Sequence, residues 1–447
     1  MTKVRHEVRD GLYGFIEFDN LEKELIDSAP FQRLRAIHQL AMCYQVYPGA
    51  THKRFEHSLG VMEAATRIFR SVFERRLPDA VHDRLAEELK SERINYWRKV
   101  VRLAALLHDI GHLPFSHAAE EQLLPEGWNH ERLTACLIRE SEINQMLRNA
   151  RPIVDPEDVI DLCWDVRKRA NAEPEFALSP WKTLLNEIIT GNTFGADRID
   201  YLLRDSWHTG VAYGRFDHER LIGGLRATLD PSNDEITLGL DIGAIHAAEA
   251  LLVARYFMYT QVYFHDVRRA YDLHLKEFLQ GWLRTVGAER FSTDWQDLLR
   301  VTDHEVLARL REAANASNDP LHRLSLPLIT RQHFRTIYEQ VSTHKKRRPT
   351  IFPELVEFAR ATFGKDKVRD DCYGPKSERN DFWVLTEDGS IESSREVSGV
   401  IANLLPVEFG FLFVAPELKE EARSQVERRL RSLLASSSIE SVPDWCI

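Results

Sequence analysis

Apolar positions in the first third of the chain recur at helical spacing. Across Ala29–Leu40 (APFQRLRAIHQL), Phe31, Leu34, Ile37 and Leu40 fall on every third residue, which predicts one helical stripe facing a core. The turn signal YPGATH at Tyr47–His52 follows, and a second helix is expected to begin near His57. Tyr96–His108 (YWRKVVRLAALLH) is strongly apolar, as suits the central helix of a bundle. Further helical runs are expected at Leu184–Ile189, Arg198–Arg204 and Ile245–Phe257. The polar stretch Pro78–Arg93 reads as an exposed excursion.

Strand-like segments are few, the clearest being Glu235–Leu240, Phe382–Leu385 and Phe409–Ala415. A helical stretch near Glu396–Leu404 separates the last two, and the charged helix Glu417–Leu434 follows them. The pattern predicts a mainly α fold. A helical core with an extension is expected over residues 1–348, and a small α/β region of unassigned role over 349–447.

Composition narrows the function classes. The 447 residues are 43% apolar and 29% charged, ordinary for a globular protein, and no apolar run approaches the roughly 20 residues of a membrane span. The N-terminus, MTKVRHEVRDGLYG, lacks the apolar core of a secretory signal. Five scattered cysteines without a CxxC argue against a disulfide framework and fit a reducing, cytoplasmic setting. A net charge of −10 gives no broad attraction to nucleic acid, so nucleic-acid binding is not expected. An anionic substrate must instead be held by local cations or a metal. The basic run His344–Arg348 (HKKRR) reads either as a phosphate or single-strand contact or as a solvated loop before Pro349.

Candidate chemistry centres on His108-Asp109, at the end of the apolar helix. An imidazole beside a carboxylate, both leaving a buried helix, needs compensation, and a divalent cation supplies it. Taken alone, the dipeptide reads equally well as a helix cap. Two adjacent residues cannot complete a coordination sphere, and His57 in RFEHSLG and Asp197 in GADRIDYLLRD are the candidate distant ligands.

The stretches PFQRLRAIHQL, VYPGATHKRFEHSLGV, LLHDIGHLPFSH, WNHE, DRIDYLLRD and ARYFMYTQVYFH occur in order between about residues 8 and 270. In these the chain resembles the HD-domain deoxynucleoside triphosphate triphosphohydrolases, which implies an HD-type helical bundle. The resemblance implies His57, His108, Asp109 and Asp197 as ligands of a divalent metal, with Mn, Mg, Fe and Zn all compatible. It implies His130 as the catalytic histidine and Glu120 as the acid that orients it. Arg54, His112, His117, Arg198, Tyr201 and Arg255 would contact the triphosphate. Gln39 and Asp205 would read the 3′-hydroxyl, and Leu40 and Tyr263 would exclude a 2′-hydroxyl. The expected reaction releases a deoxynucleoside and inorganic triphosphate.

Departures from the family pattern bear on regulation. Asp27, Gln32 and Arg35 match residues that read an activating nucleotide in vertebrate members. However, His6, Glu7, Asp241, Gly243 and Asp266 replace phosphate-holding cations or their neighbours there. Regulation by a nucleotide effector is therefore expected to be rewired or absent, and a homo-oligomer is expected. Two other readings remain: an HD phosphohydrolase acting on another nucleotide or phosphoester, and a catalytically silent nucleotide-sensing assembly protein.

Overall fold

The computed structural model describes residues 5–116, 120, 123–374 and 381–435. The chain opens with the antiparallel hairpin β1 (His6–Asp10) and β2 (Gly14–Phe18) and the helix α1 (Asn20–Asp27). The helices α2 (Arg54–Phe73), α3 (Ser91–Leu107), α4 (His130–Glu140), α5 (Pro156–Cys163), α6 (Pro180–Thr190) and α7 (Ala196–Thr209) follow. Next come β3 (Leu225–Leu229), β4 (Ile236–Asp241), α8 (Ile245–Met258), α9 (Asp266–Thr285), α10 (Asp303–Asn315) and β5 (Arg335–Glu339). The remainder holds α11 (Ile351–Phe363), β6 (Val368–Tyr373), β7 (Trp383–Leu385), β8 (Ile391–Ser393), β9 (Phe409–Val414) and α12 (Lys419–Ala435). The fold is mainly α-helical with small sheets.

Two compact units are assembled from interleaved segments. The first comprises Met1–Met258, Leu283–Ala308 and Arg379–Leu405, the second Tyr259–Trp282, Arg309–Glu378 and Pro406–Ile447. The 348/349 boundary expected from composition falls inside the second unit.

In the first unit α3 is the central helix. Val100, Val101, Leu103, Ala104, Ala105, Leu106 and Leu107 are all fully buried, and α2, α5 and α6 pack around them. Side chains buried on every side are what make a helix central rather than amphipathic. The last turn of α3 therefore emerges from the core with His108 and Asp109. The four-stranded sheet runs β3-β4-β7-β8, with β7 joining β4 in parallel. Among the described residues no helix is long and apolar enough to cross a membrane.

The second unit carries the sheet β5-β9-β6, antiparallel throughout. Alternation along β9 splits its side chains between two cores: Phe409, Phe411 and Phe413 on one face, Leu412 and Val414 on the other. Trp383–Leu385 and Phe409–Val414, adjacent strands by sequence pattern, thus belong to different sheets. The run His344–Arg348 is not a loop. It lies largely in a short helix, Ser342–Arg347, where Lys345 pairs with Glu408, and Arg348 beyond it pairs with Glu354.

Two local expectations change. Phe31, Leu34, Ile37 and Leu40 are buried as predicted, but the α-helix covers only Ala29–Gln32 and continues as a 3-10 turn to Ala36. Ile37 turns extended (φ −113°, ψ 118°), because the next residues pair elsewhere: His38 bridges Lys53, and the His38 amide donates to Asp303 at 2.7 Å. Within Pro78–Arg93, the helix Asp79–Leu85 buries Val81 and Leu85, so that stretch is anchored rather than wholly exposed.

A buried charge cluster ties α1 to α3. Arg102 donates to both carboxylate oxygens of Glu22 at 2.7 and 3.0 Å, and Lys99 lies 3.2 Å away. Burial alone would raise the Glu22 pKa, but the hydrogen bond and charge of Arg102 outweigh it and bring it down to about 2. A carboxyl with a lower pKa folded than unfolded adds stability above its unfolded value and loses it as pH falls through the folded one. Glu22→Gln is therefore expected to lower unfolding free energy at pH 7 by roughly 2–3 kcal/mol. In denaturant titrations, the deficit should shrink between pH 4.5 and about 2.

Candidate metal centre

Four side chains from three elements converge at the buried end of α3. His57 comes from the first turn of α2, His108 and Asp109 follow α3, and Asp197 sits in the first turn of α7. His57 Nε2 stands 3.1 Å from Asp197 Oδ1 and 3.7 Å from Asp109 Oδ2. His108 Nε2 stands 3.3 Å from Asp109 Oδ1 and 3.8 Å from Asp197 Oδ1. Ligands at about 2.0–2.2 Å from one ion lie about 3 to 3.5 Å apart along the edges of its coordination shell. The 3.1 and 3.3 Å separations match this, and the 3.7 and 3.8 Å ones are slightly longer. His108 supplies a second test. Its Nδ1 is bonded to the Ala105 carbonyl at 2.8 Å, while its buried Nε2 finds no hydrogen-bond partner among the described residues and stands between two carboxylate oxygens. A lone pair in that position is a metal ligand's arrangement, and the donor set fits a divalent ion.

The electrostatics agree. Burial would lower the His57 pKa, but hydrogen bonds to Asp197 and Asp200 and nearby charge raise it to about 10. Burial opposes ionisation of Asp109, yet Arg54, His108 and His112 hold it well below the usual carboxylate range. Desolvation opposes ionisation of Asp197 as well, yet the neighbouring His57 and His108 imidazoles hold it low. The pocket is a sink for positive charge.

Residues outside the predicted set hold these ligands in place. Asp200, three residues beyond Asp197 on the same helix, accepts from His57 Nδ1 at 2.7 Å. It is itself gripped by the fully buried Arg204 at 2.8 and 2.9 Å. Arg204 also reaches Asp10 at 2.9 Å, and Asp10 caps the β1–β2 turn through the amides of Leu12 and Tyr13. Gly60 makes this approach feasible, since a Cβ there would stand 1.9 Å from Asp200 Oδ1. The D-x-x-D spacing in DRIDYLLRD was the available sequence signal, because residues three apart share one helix face. Asp200→Ala frees the ring of His57, and titration calorimetry should find metal affinity about 10- to 100-fold weaker.

His130 and Glu120 flank the centre. Asn129 caps α4 by accepting the Arg132 amide at 2.9 Å, which places His130 at the first helical position. Glu120 bridges two imidazoles, taking His112 Nδ1 at 2.6 Å and His130 Nδ1 at 2.9 Å, and the two rings stack at 3.8 Å. Burial and the charges of Arg54 and His130 push the His112 pKa down to about 3. For His130, burial pulls down, but Glu120 outweighs it and the pKa is raised. One imidazole is thus kept neutral and its neighbour favours the proton. The ligand atoms of His57, His108 and Asp197 all lie within 4.8 Å of one another, and those of Asp109, His112 and His130 form a second such group, so Asp109 stands between the two.

The other predicted residues are placed unevenly. Arg54 is buried, bonded to Asp109 and to Ser116 Oγ at 2.7 Å. Phe115 and Ser116 both have left-handed backbones (φ 56° and 55°), a costly turn held by Asp303, which accepts the Phe115 amide at 2.7 Å. Arg198 and Tyr201 follow Asp197 on α7, half-buried, and Arg198 contacts Asn192 at 3.3 Å. Arg255 lies in the last turn of α8. Asp205, buried on α7, bonds to His52 at 2.7 Å, while Leu40 is buried and Gln39 half-buried. Tyr263 belongs to the second unit. Asp27 and Arg35 are exposed, Gln32 is half-buried, and Arg35 stacks over Phe55 at 3.5 Å and donates to Gln32 at 2.9 Å. His117 lies outside the described residues.

Comparison with known proteins covers most of the chain. A family model described as HD domain matches residues 54–205, and one described as HD associated region matches 216–348. Protein MJ1154 of Methanocaldococcus jannaschii is 30% identical over 97% of this chain and 84% of its own length. The deoxynucleoside triphosphate triphosphohydrolase SAMHD1 of Mus musculus is 33% identical over 231 residues, 48% of this chain and 33% of the mouse protein. A hypothetical protein from Aquifex aeolicus has a solved structure with a TM-score of 0.75 at 35% identity, covering 95% of this chain and 100% of that one. Matched in both regions, and along nearly its whole length by its archaeal relative, this chain belongs to the HD-domain family of metal-dependent phosphohydrolases.

Proposed function

We propose that the protein hydrolyses deoxynucleoside triphosphates to deoxynucleoside and inorganic triphosphate, using a divalent ion held by His57, His108, Asp109 and Asp197. The observation that carries the reading is the grouping of His57, His108 and Asp197, with Asp109 between them and His130 on its Glu120 bridge. An ion held by these residues would polarise a phosphoryl oxygen and lower the pKa of water. Water adds to the α-phosphorus and releases a proton to solvent, the bond to the 5′-oxygen breaks, and that oxygen must receive a proton. His130 is suited to deliver it. With Nδ1–H committed to Glu120, Nε2 carries the transferable proton, and the Glu120 charge favours the protonated ring.

Arg54, Arg198 and Arg255, with His112, His117 and Tyr201, are the proposed triphosphate contacts. Concentrating cations locally answers the protein's own negative balance. Arg54 is already aimed into the site by Asp109, and a phosphoryl oxygen would compete for its guanidinium. Gln39 and Asp205 would read the 3′-hydroxyl, with Leu40 against the 2′ position. Asp27, Gln32 and Arg35 remain the proposed effector contacts, and a cytoplasmic homo-oligomer the proposed setting.

The deciding assay incubates purified protein with Mg²⁺ or Mn²⁺ and each dNTP, singly and mixed, and resolves the products by ion chromatography. Inorganic triphosphate is the expected product, and a His108→Ala, Asp109→Ala double variant should release none. Pyrophosphate or monophosphate would overturn the reading in favour of another phosphohydrolase, and silence in every mixture would favour a nucleotide sensor.

A further inference from the structure

We infer that His52 is a positioning residue for sugar recognition, because it bonds to both residues proposed to read the 3′-hydroxyl; the inference rests on that reading of Gln39 and Asp205. The turn Tyr47–His52 is folded tightly, with Ala50 N–H donating to Tyr47 O and Thr51 N–H to Gly49 O, each at 2.8 Å. It lies against the C-terminal end of α7. Gly49 allows the contact, since a Cβ there would stand 2.4 Å from the His208 carbonyl oxygen. His52 is thereby carried inside, 3% exposed.

Its ring reaches one partner and its main chain the other. His52 Nε2 lies 2.7 Å from Asp205 Oδ1. A carboxylate oxygen accepts, so Nε2 carries the hydrogen. The His52 carbonyl accepts the Gln39 backbone amide at 3.1 Å. A second contact fixes the ring: it stacks on His208, one turn past Asp205, at 4.3 Å and 11°. Thr209 Oγ1 also donates to the Asp205 carbonyl at 2.6 Å, holding the last turn of α7. Gripping Oδ1 sets the rotation of the Asp205 carboxyl and hence the direction of its other oxygen. Gln39 Oε1 is buried and accepts no hydrogen bond among the described residues. A buried acceptor in that state calls for a donor, and a sugar hydroxyl is one.

The test compares hydrolysis of a dNTP with that of its 2′,3′-dideoxy analogue by wild type, His52→Phe, His52→Asn and His52→Gln, with folding checked by circular dichroism. Wild type is expected to favour the 3′-hydroxyl substrate about 10- to 100-fold in kcat/KM, the worth of one buried hydroxyl pairing. Phe keeps the stacked ring without the donor, and the Asn amide is too short to reach Asp205. Both should bring the ratio to about threefold or less, mainly by raising KM for the dNTP. Gln, whose amide falls near the position of imidazole Nε2, should restore most of the preference. Equal losses on both substrates, or an unchanged ratio in the Phe and Asn variants, would overturn the inference. Equal hydrolysis of both substrates by wild type would overturn the sugar-reading roles of Gln39 and Asp205, and with them this proposal. A wild type that hydrolyses neither would overturn the dNTP activity itself.

Discussion

Asp197→Asn and Asp109→Asn are each expected to reduce dNTP hydrolysis at least about 1,000-fold and to strip the bound metal, and the second should weaken the fold more. The activity loss has a common cause. An amide oxygen is a poor substitute for an anionic ligand, and the metal's several kcal/mol of transition-state stabilisation disappears at about 1.4 kcal/mol per factor of ten. The stability difference follows from what each carboxylate touches. Asp197 is 39% exposed at its side chain and faces His57 and His108. Asp109 is 5% exposed and pairs with the buried guanidinium of Arg54. Breaking a buried ion pair by neutralising one partner typically costs about 3–5 kcal/mol, because the remaining charge stays desolvated. Metal content by elemental analysis, kcat by product release and thermal midpoints separate the two effects. If Asp197→Asn retained both its metal and its activity, the four-ligand assignment would fail.

The second large effect is expected at His130. Replacing it with Ala should lower kcat about 10²- to 10⁴-fold while metal content stays unchanged, since the residue gives a proton and holds no ion in the proposed scheme. Glu120→Gln should produce a smaller loss of the same kind, because it acts through His130. That carboxylate also aligns the His112 ring, so its removal disturbs two stacked imidazoles at once. A substrate with an acidic leaving group discriminates between explanations. A p-nitrophenyl phosphodiester needs little protonation on departure, so the His130→Ala deficit should shrink by at least about tenfold on it. An equal deficit on both substrates would mean that His130 binds or orients rather than protonates.

Both predictions draw on residues that stand out along the chain. The apolar run before His108 marks a central helix, and a His-Asp pair leaving it demands compensation, which alone marks it as either a candidate ligand pair or a helix cap. His57 and Asp197 are legible as partners through their neighbouring sequence, and both arrive in the first turn of their helices. Helices could be read wherever apolar spacing was strong: Tyr96–His108 was expected and Ser91–Leu107 is found, and Ile245–Phe257 was expected and Ile245–Met258 is found.

Long-range pairing was not legible. The stripe at Phe31–Leu40 has helical spacing, yet the helix yields at Ile37 because Asp303, far along the chain, takes the His38 amide. Strands Trp383–Leu385 and Phe409–Val414 look alike in sequence and join different sheets, since hydrogen-bonding partners are chosen by topology rather than by alternation. Of the supports of the candidate ligands only the D-x-x-D spacing of Asp197 and Asp200 was available in the sequence, and folding alone closes Asp10, Arg204, Asp200 and His57 into one chain of hydrogen bonds. Residue types and their spacing dictated which groups must be compensated, because desolvation acts on side-chain chemistry and local burial pattern. Which distant groups compensate them emerged only on folding. Hydrogen bonds and ion pairs are short-ranged, and they exist only after the chain has brought their partners within a few ångströms.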